Sequence, residues 1–182
     1  GGDPEADRIA RWTGSAWASF SGSRSGLGAS VYDVAFTSAG DLVVVGRFRA
    51  AGGEPDANYA AVRDGGDWQP LTDALLTDGF GLNGDVYTLA FAPDGRLYAG
   101  GAFQDAGGNP AADDIAVLEA SGWQPLGGPT SAIDTDVYAI TFLDDGRVVT
   151  VLAAAELSLA AAGALRPRIR EVQHRGLSGR CR

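Results

Sequence analysis

The sequence predicts an all-β protein, and three observations carry that prediction. The 182 residues include 27 glycines and 8 prolines with no collagen-like period, a density of turn formers that suits many short strands. An apolar run of strand length, Val86-Tyr-Thr-Leu-Ala-Phe91, is echoed by Val31-Tyr-Asp-Val-Ala-Phe36 and Val137-Tyr-Ala-Ile-Thr-Phe142. Turn sequences follow two of these runs: Ala92-Pro-Asp-Gly95 and Leu143-Asp-Asp-Gly146. Each glycine there supplies the positive φ that closes a hairpin.

Composition narrows the class further. At 45% hydrophobic and 20% charged, the chain reads as a soluble globular protein. No run of about 18 apolar residues exists, so no membrane insertion is expected. The N-terminal Gly-Gly-Asp-Pro-Glu-Ala-Asp stretch has neither a basic nor an apolar signal-peptide region. With no methionine at all, the chain reads as a processed or excised piece. The Lys and Arg count is all arginine, the bias of a GC-rich coding sequence. A net charge of −9 argues against nucleic acid and anionic lipid as partners, because no basic face is available to neutralise phosphates. The single cysteine, Cys181, excludes an internal disulfide framework.

Alignment of the chain on itself finds a period of 51–55 residues. Gly-Gly-acid/Asn-Pro loops begin at residues 1, 52 and 107, and a tryptophan stands 13 residues after each proline: Trp17, Trp68 and Trp123. The Val-Tyr pairs and the turn glycines Gly40, Gly95 and Gly146 keep the same register. Each copy resolves into four strands. The first is Arg8–Trp12, Tyr59–Arg63 or Asp114–Leu118, mixed in polarity as an outer or partly covered strand would be. The second starts at the tryptophan: Trp17–Phe20, Trp68–Leu71 or Trp123–Leu126. The third is the Val-Tyr run, apolar at nearly every position and therefore expected to be buried on both faces. The fourth is Leu42–Phe48 or Leu97–Phe103, where Gly46 and the pair Gly100–Gly101 predict a bulge or a close backbone approach.

Four antiparallel strands in about 50 residues, repeated, are the pattern of β-propeller blades. Stacking the next four-stranded sheet removes from water the apolar face that an isolated sheet would leave wet. The recurring Gly-Gly-x-Phe-x-x-Ala-Gly-Gly, Asn/Asp-x-Ile-Ala-x-Trp, Gly-x-Trp-x-x-Leu and Val-Tyr-x-Leu-x-Phe segments resemble the Kelch and galactose-oxidase-like repeats, and are similar to delta-60-type repeats of bacterial surface proteins. The resemblance covers residues 1–150. It implies blades at approximately 5–55, 56–110 and 111–150, the last incomplete, and a ring left open, since propellers close with four to eight blades.

The pattern stops near residue 151. Leu152 stands where Gly46 and Gly101 stood, Ala154 replaces the phenylalanine, and Ser158-Leu-Ala-Ala161 replaces the next Gly-Gly-x-Pro loop. Residues 1–150 carry net charge −13, and residues 151–182 carry +4. Composition admits a helix over Val151–Leu165 and predicts disorder over Arg166–Arg182. The segment reads either as an Ala/Arg-rich tail or, the favoured reading, as the product of a reading-frame shift near residue 151. On this basis the third copy lacks its proper last strand and is expected to be the least stable part.

Little in the sequence points to catalysis. The only histidine, His174, and Cys181 both fall in the tail, so neither a nucleophile–base pair nor a His-containing metal site has support. The copper chemistry of galactose oxidase is not carried over, because residues 1–150 contain no histidine or cysteine. No catalytic, cofactor-binding or metal residue is assigned, and no cofactor is expected. Oxygen-bearing residues recur around the Gly-Gly loops: Asp3, Asp7, Glu54, Asp56, Asn58, Asn109, Asp113 and Asp114. They suit calcium or, as the commoner use, Asx-type bonds to the backbone. The tryptophans at fixed positions point to packing between blades, whereas Trp12, matched by Arg63 and Leu118, is the better candidate for a surface contact. Asp85 and Asp136 read as turn residues at a strand start. The function expected is a non-enzymatic scaffold on a secreted or cell-surface bacterial protein, binding protein or glycan. The alternative is part of an enzyme, a lyase or oxidase, whose catalytic residues lie outside this chain.

Overall fold

The computed structural model describes residues 8–20, 26–71, 81–126 and 133–153, together with the strand Ile169–Val172. It is all-β, with antiparallel sheets arranged as in an incomplete β-propeller. The strands are β1 (Arg11–Trp12), β2 (Trp17–Ala18), β3 (Val31–Phe36), β4 (Leu42–Gly46), β5 (Ala60–Asp64), β6 (Asp67–Pro70), β7 (Asp85–Phe91), β8 (Leu97–Ala102), β9 (Ile115–Glu119), β10 (Gly122–Pro125), β11 (Val137–Phe142), β12 (Val148–Leu152) and β13 (Ile169–Val172). A two-stranded sheet pairs β1 with β2. The first four-stranded sheet runs β3-β4-β5-β6, the second β7-β8-β9-β10, and a third sheet runs β11-β12-β13.

The sheets are phased differently from the sequence copies. Blades cut at 5–55, 56–110 and 111–150 would divide each sheet, because the Gly-Gly loop connects β4 to β5, and β8 to β9, inside one sheet. Self-alignment fixes a period but not where the hydrogen-bonded unit starts; the ladder β4–β5 places the start at the Val-Tyr strand. That strand is also not the doubly buried one. β3 lies at a sheet edge with Tyr32, Val34 and Phe36 exposed, whereas every residue of β4 is buried. A central strand has ladder partners on both sides and a neighbouring sheet on each face; an edge strand has one ladder only.

Alternation along β4 shows how the sheets stack. Val43 and Val45 meet Val86, Leu89 and Phe103 of the second sheet, while Leu42 and Val44 turn the other way toward Leu27 and Trp68. Between the second and third sheets, Tyr98 and Val117 meet Val137, Ile140 and Val148. Gly100 faces the same interface: a Cβ there would lie 2.6 Å from a Val137 methyl. The close approach expected at the fourth strand is present. Register slips between Val31 and Asp33, and between Val86 and Thr88, bring backbone so near that a Cβ on Gly46 or Gly101 would sit 2.1 Å from the carbonyl oxygen of Ser30 or Asp85.

The third copy departs from expectation. Its fourth strand is formed as β12, runs across residue 151 to Leu152, and pairs with both β11 and β13. Val148-Val-Thr-Val-Leu152 is β-branched at four of five positions, which favours a strand over a helix. Within the segment expected to be disordered, Ile169–Val172 is a strand. The rest of that tail, 154–168 and 173–182, lies outside the described residues, as do Asp3, Asp7, His174 and Cys181.

Candidate functional site

The edge strands β3, β7 and β11 lie side by side at the inner ends of the three sheets. Each contributes the tyrosine of its Val-Tyr pair to one row. Tyr32 meets Tyr87 edge-on, ring centroids 5.6 Å apart, and Tyr87 stacks on Tyr138 at 5.0 Å. Tyr32 and Tyr138 are exposed and Tyr87 is half-buried. The row follows from the bulge, since the extra residue beside each valine carries the tyrosine out of the ladder register.

Carboxylates border the row. Asp136 Oδ2 lies 3.5 Å from the Tyr138 hydroxyl, and Asp85 is paired with Arg47, just past the end of β4, at 3.3 Å. Burial, followed by the negative charge of Asp136 and Asp85, raises the Tyr87 phenol above its ordinary value. Asp33 ties two sheets together. Its Oδ2 accepts the Leu89 amide (3.0 Å) and the Thr88 hydroxyl (3.2 Å), joining the first sheet to the bulge of the second. Beside β9, burial and the charges of Asp136, Asp113 and Asp134 push Asp114 up to about 6. The surface thus combines aromatic faces with hydroxyl and carboxylate oxygens, a donor–acceptor set suited to a neutral polyhydroxylated ligand.

Three of the oxygen-bearing side chains at the Gly-Gly loops, Asn58, Asn109 and Asp113, bond to backbone. Asn58 Oδ1 accepts the Ala50 amide at 3.0 Å, and at the corresponding place Asp113 Oδ1 accepts the Asp105 amide at 2.8 Å. Asn109 Oδ1 accepts the Ala111 amide, and Asn58 Nδ2 donates to the Pro55 carbonyl. Ala50 and Asp105, at φ 50° and 51°, take the same left-handed turn. Among the described residues no three His, Cys, Asp or Glu side chains gather as a metal-binding group.

The tryptophans divide. Trp68 and Trp123 are 3% and 2% exposed inside the stacked cores, whereas Trp17 is 56% exposed. Trp17 packs edge-on against Trp12 at 5.5 Å and both rings are exposed, so Trp17, unlike Trp68 and Trp123, does not take the expected place between sheets. The tyrosine row itself was hidden in the sequence by its apolar neighbours, although a tyrosine at one register position in three copies was the available signal. No protein-family model, no curated protein and no solved structure matches the chain.

Proposed function

We propose that the chain is a non-enzymatic binding scaffold whose ligand surface is the row Tyr32–Tyr87–Tyr138, and that the ligand is a carbohydrate. The observation that carries this reading is the row itself: three aromatic side chains from three successive sheets, held in contact and open to solvent at both ends. Aromatic rings present flat apolar faces to sugar C–H groups, while neighbouring carboxylates accept sugar hydroxyls. The likeness of the Gly-Gly-x-Phe pattern to bacterial surface repeats supports a secreted or cell-surface setting.

Titration calorimetry against a panel of neutral oligosaccharides tests the reading. At least one sugar class is expected to bind, with Tyr138→Ala weakening it roughly tenfold or more; binding that survives Tyr32→Ala and Tyr138→Ala together refutes it.

A further inference from the structure

Each internal sheet–sheet contact joins the same two half-surfaces. One half is the face of a sheet bearing Val43 and Val45, or Tyr98 and Gly100; the other is the face of the next sheet bearing Leu89, or Val137 and Ile140. Among the described residues the first and third sheets each leave one half open. Val34 and Phe36 of β3 are 46% and 63% exposed, although Leu89 and Ile140, which correspond to Val34, are 6% and 8% exposed. At the other end Val151 of β12, which corresponds to the buried Val45, is also exposed. These open faces correspond, position for position, to the two halves that meet in the internal contacts.

Strand pairing leads to the same match. β13 pairs along β12 with Val148 opposite Val172 and Val151 opposite Ile169. β5 pairs along β4 in the same way, Leu42 opposite Arg63 and Val45 opposite Ala60. β13 therefore holds the place of a β5-type strand. The β1–β2 pair corresponds in sequence to β5–β6, yet among the described residues β1 pairs with β2 alone. Its Trp17 is exposed where Trp68 and Trp123 are buried.

We infer that two copies of this chain associate head to tail. The β1–β2 pair of each copy replaces β13 on the β12 edge of the other, setting Trp12 opposite Val148, and the open face of the third sheet covers Val34 and Phe36. The composite sheet β11-β12-β1-β2 reproduces the order of the two complete sheets. Two complete and one composite sheet per copy give six in the pair, inside the four-to-eight range in which such rings close. The contact is heterologous and closes because it occurs twice.

Light scattering across 5–200 µM, about the span over which a weak dimer forms, reads the outcome. The expected mass is twice the 18.7 kDa of the chain. Phe36→Asp and Val151→Asp alter exposed side chains on opposite faces, and each alone is expected to weaken association roughly 100-fold. An equimolar mixture of the two variants retains one intact contact and is expected to form a mixed dimer. The double variant Arg170→Pro, Glu171→Pro, which breaks the β12–β13 ladder, is expected to strengthen association. A wild-type monomer throughout the range overturns the inference, as does a dimer indifferent to Val151→Asp or a mixture that stays monomeric.

Discussion

At the residue scale the fold depends on a few positions where backbone or charge leaves no slack. A methyl group on Gly46 would lie 2.1 Å from the Ser30 carbonyl oxygen, and the obstacle is backbone that cannot rotate away. Gly46→Ala should lower the stability measured by urea unfolding by about 3 kcal/mol; a loss under about 0.5 kcal/mol would mean that the bulge is not this tight. The Asp33 side chain is hydrogen-bonded to both the Thr88 hydroxyl and the Leu89 amide. Asp33→Ala should cost about 1.5–3 kcal/mol, the range for hydrogen bonds to a charged group, with Asp33→Asn recovering part of it. Asp114 sets a pH dependence. Its folded-state value of about 6 lies above its ordinary 3.8, so in that window the folded chain holds a proton that the unfolded chain releases. Stability from this group is therefore full below its ordinary value and is lost as pH rises through 6. The melting temperature should climb as pH falls from 7.5 to 5, and Asp114→Asn should be the more stable form at pH 7.5, with a flatter profile.

At the element scale burial follows a strand's place in its sheet. Val43, Val44 and Val45 of β4 and Tyr98 and Ala99 of β8 are almost wholly enclosed. Their amides should be the slowest to exchange, with β3 faster because one of its edges is open. Equal protection of β3 and β4 would contradict the sheet order. The sequence made the hairpin Ala92–Gly95, the crowding at Gly46 and Gly101 and the strand positions legible, because turn glycines and apolar runs are local features. It did not make the sheet phase legible, since a repeated unit can be cut anywhere without changing its period. Nor did it reveal which strand lies inside. Tyr32, Val34 and Phe36 are as apolar on paper as Leu42–Val45, and only the ladder shows that one strand is an edge. The β-branched run at residues 148–151 argued for a strand across the place where the glycine landmarks stop; loss of the landmarks was not loss of the element.

At the scale of the whole molecule, stacked sheets bring three inner strands together, and with them three tyrosines distant in sequence. The acidic body, net −13 over residues 1–150, disfavours polyanionic ligands and is compatible with neutral sugars. The chain contains five tyrosines, and Tyr59 and Tyr98 are buried away from the row. Tyrosine-selective isotope labelling therefore provides three reporters in the proposed site and two internal controls. On titration with the sugar that binds most tightly, the resonances of Tyr32, Tyr87 and Tyr138 should move together while those of Tyr59 and Tyr98 stay fixed. Saturable binding that leaves the three row resonances unmoved would contradict the account.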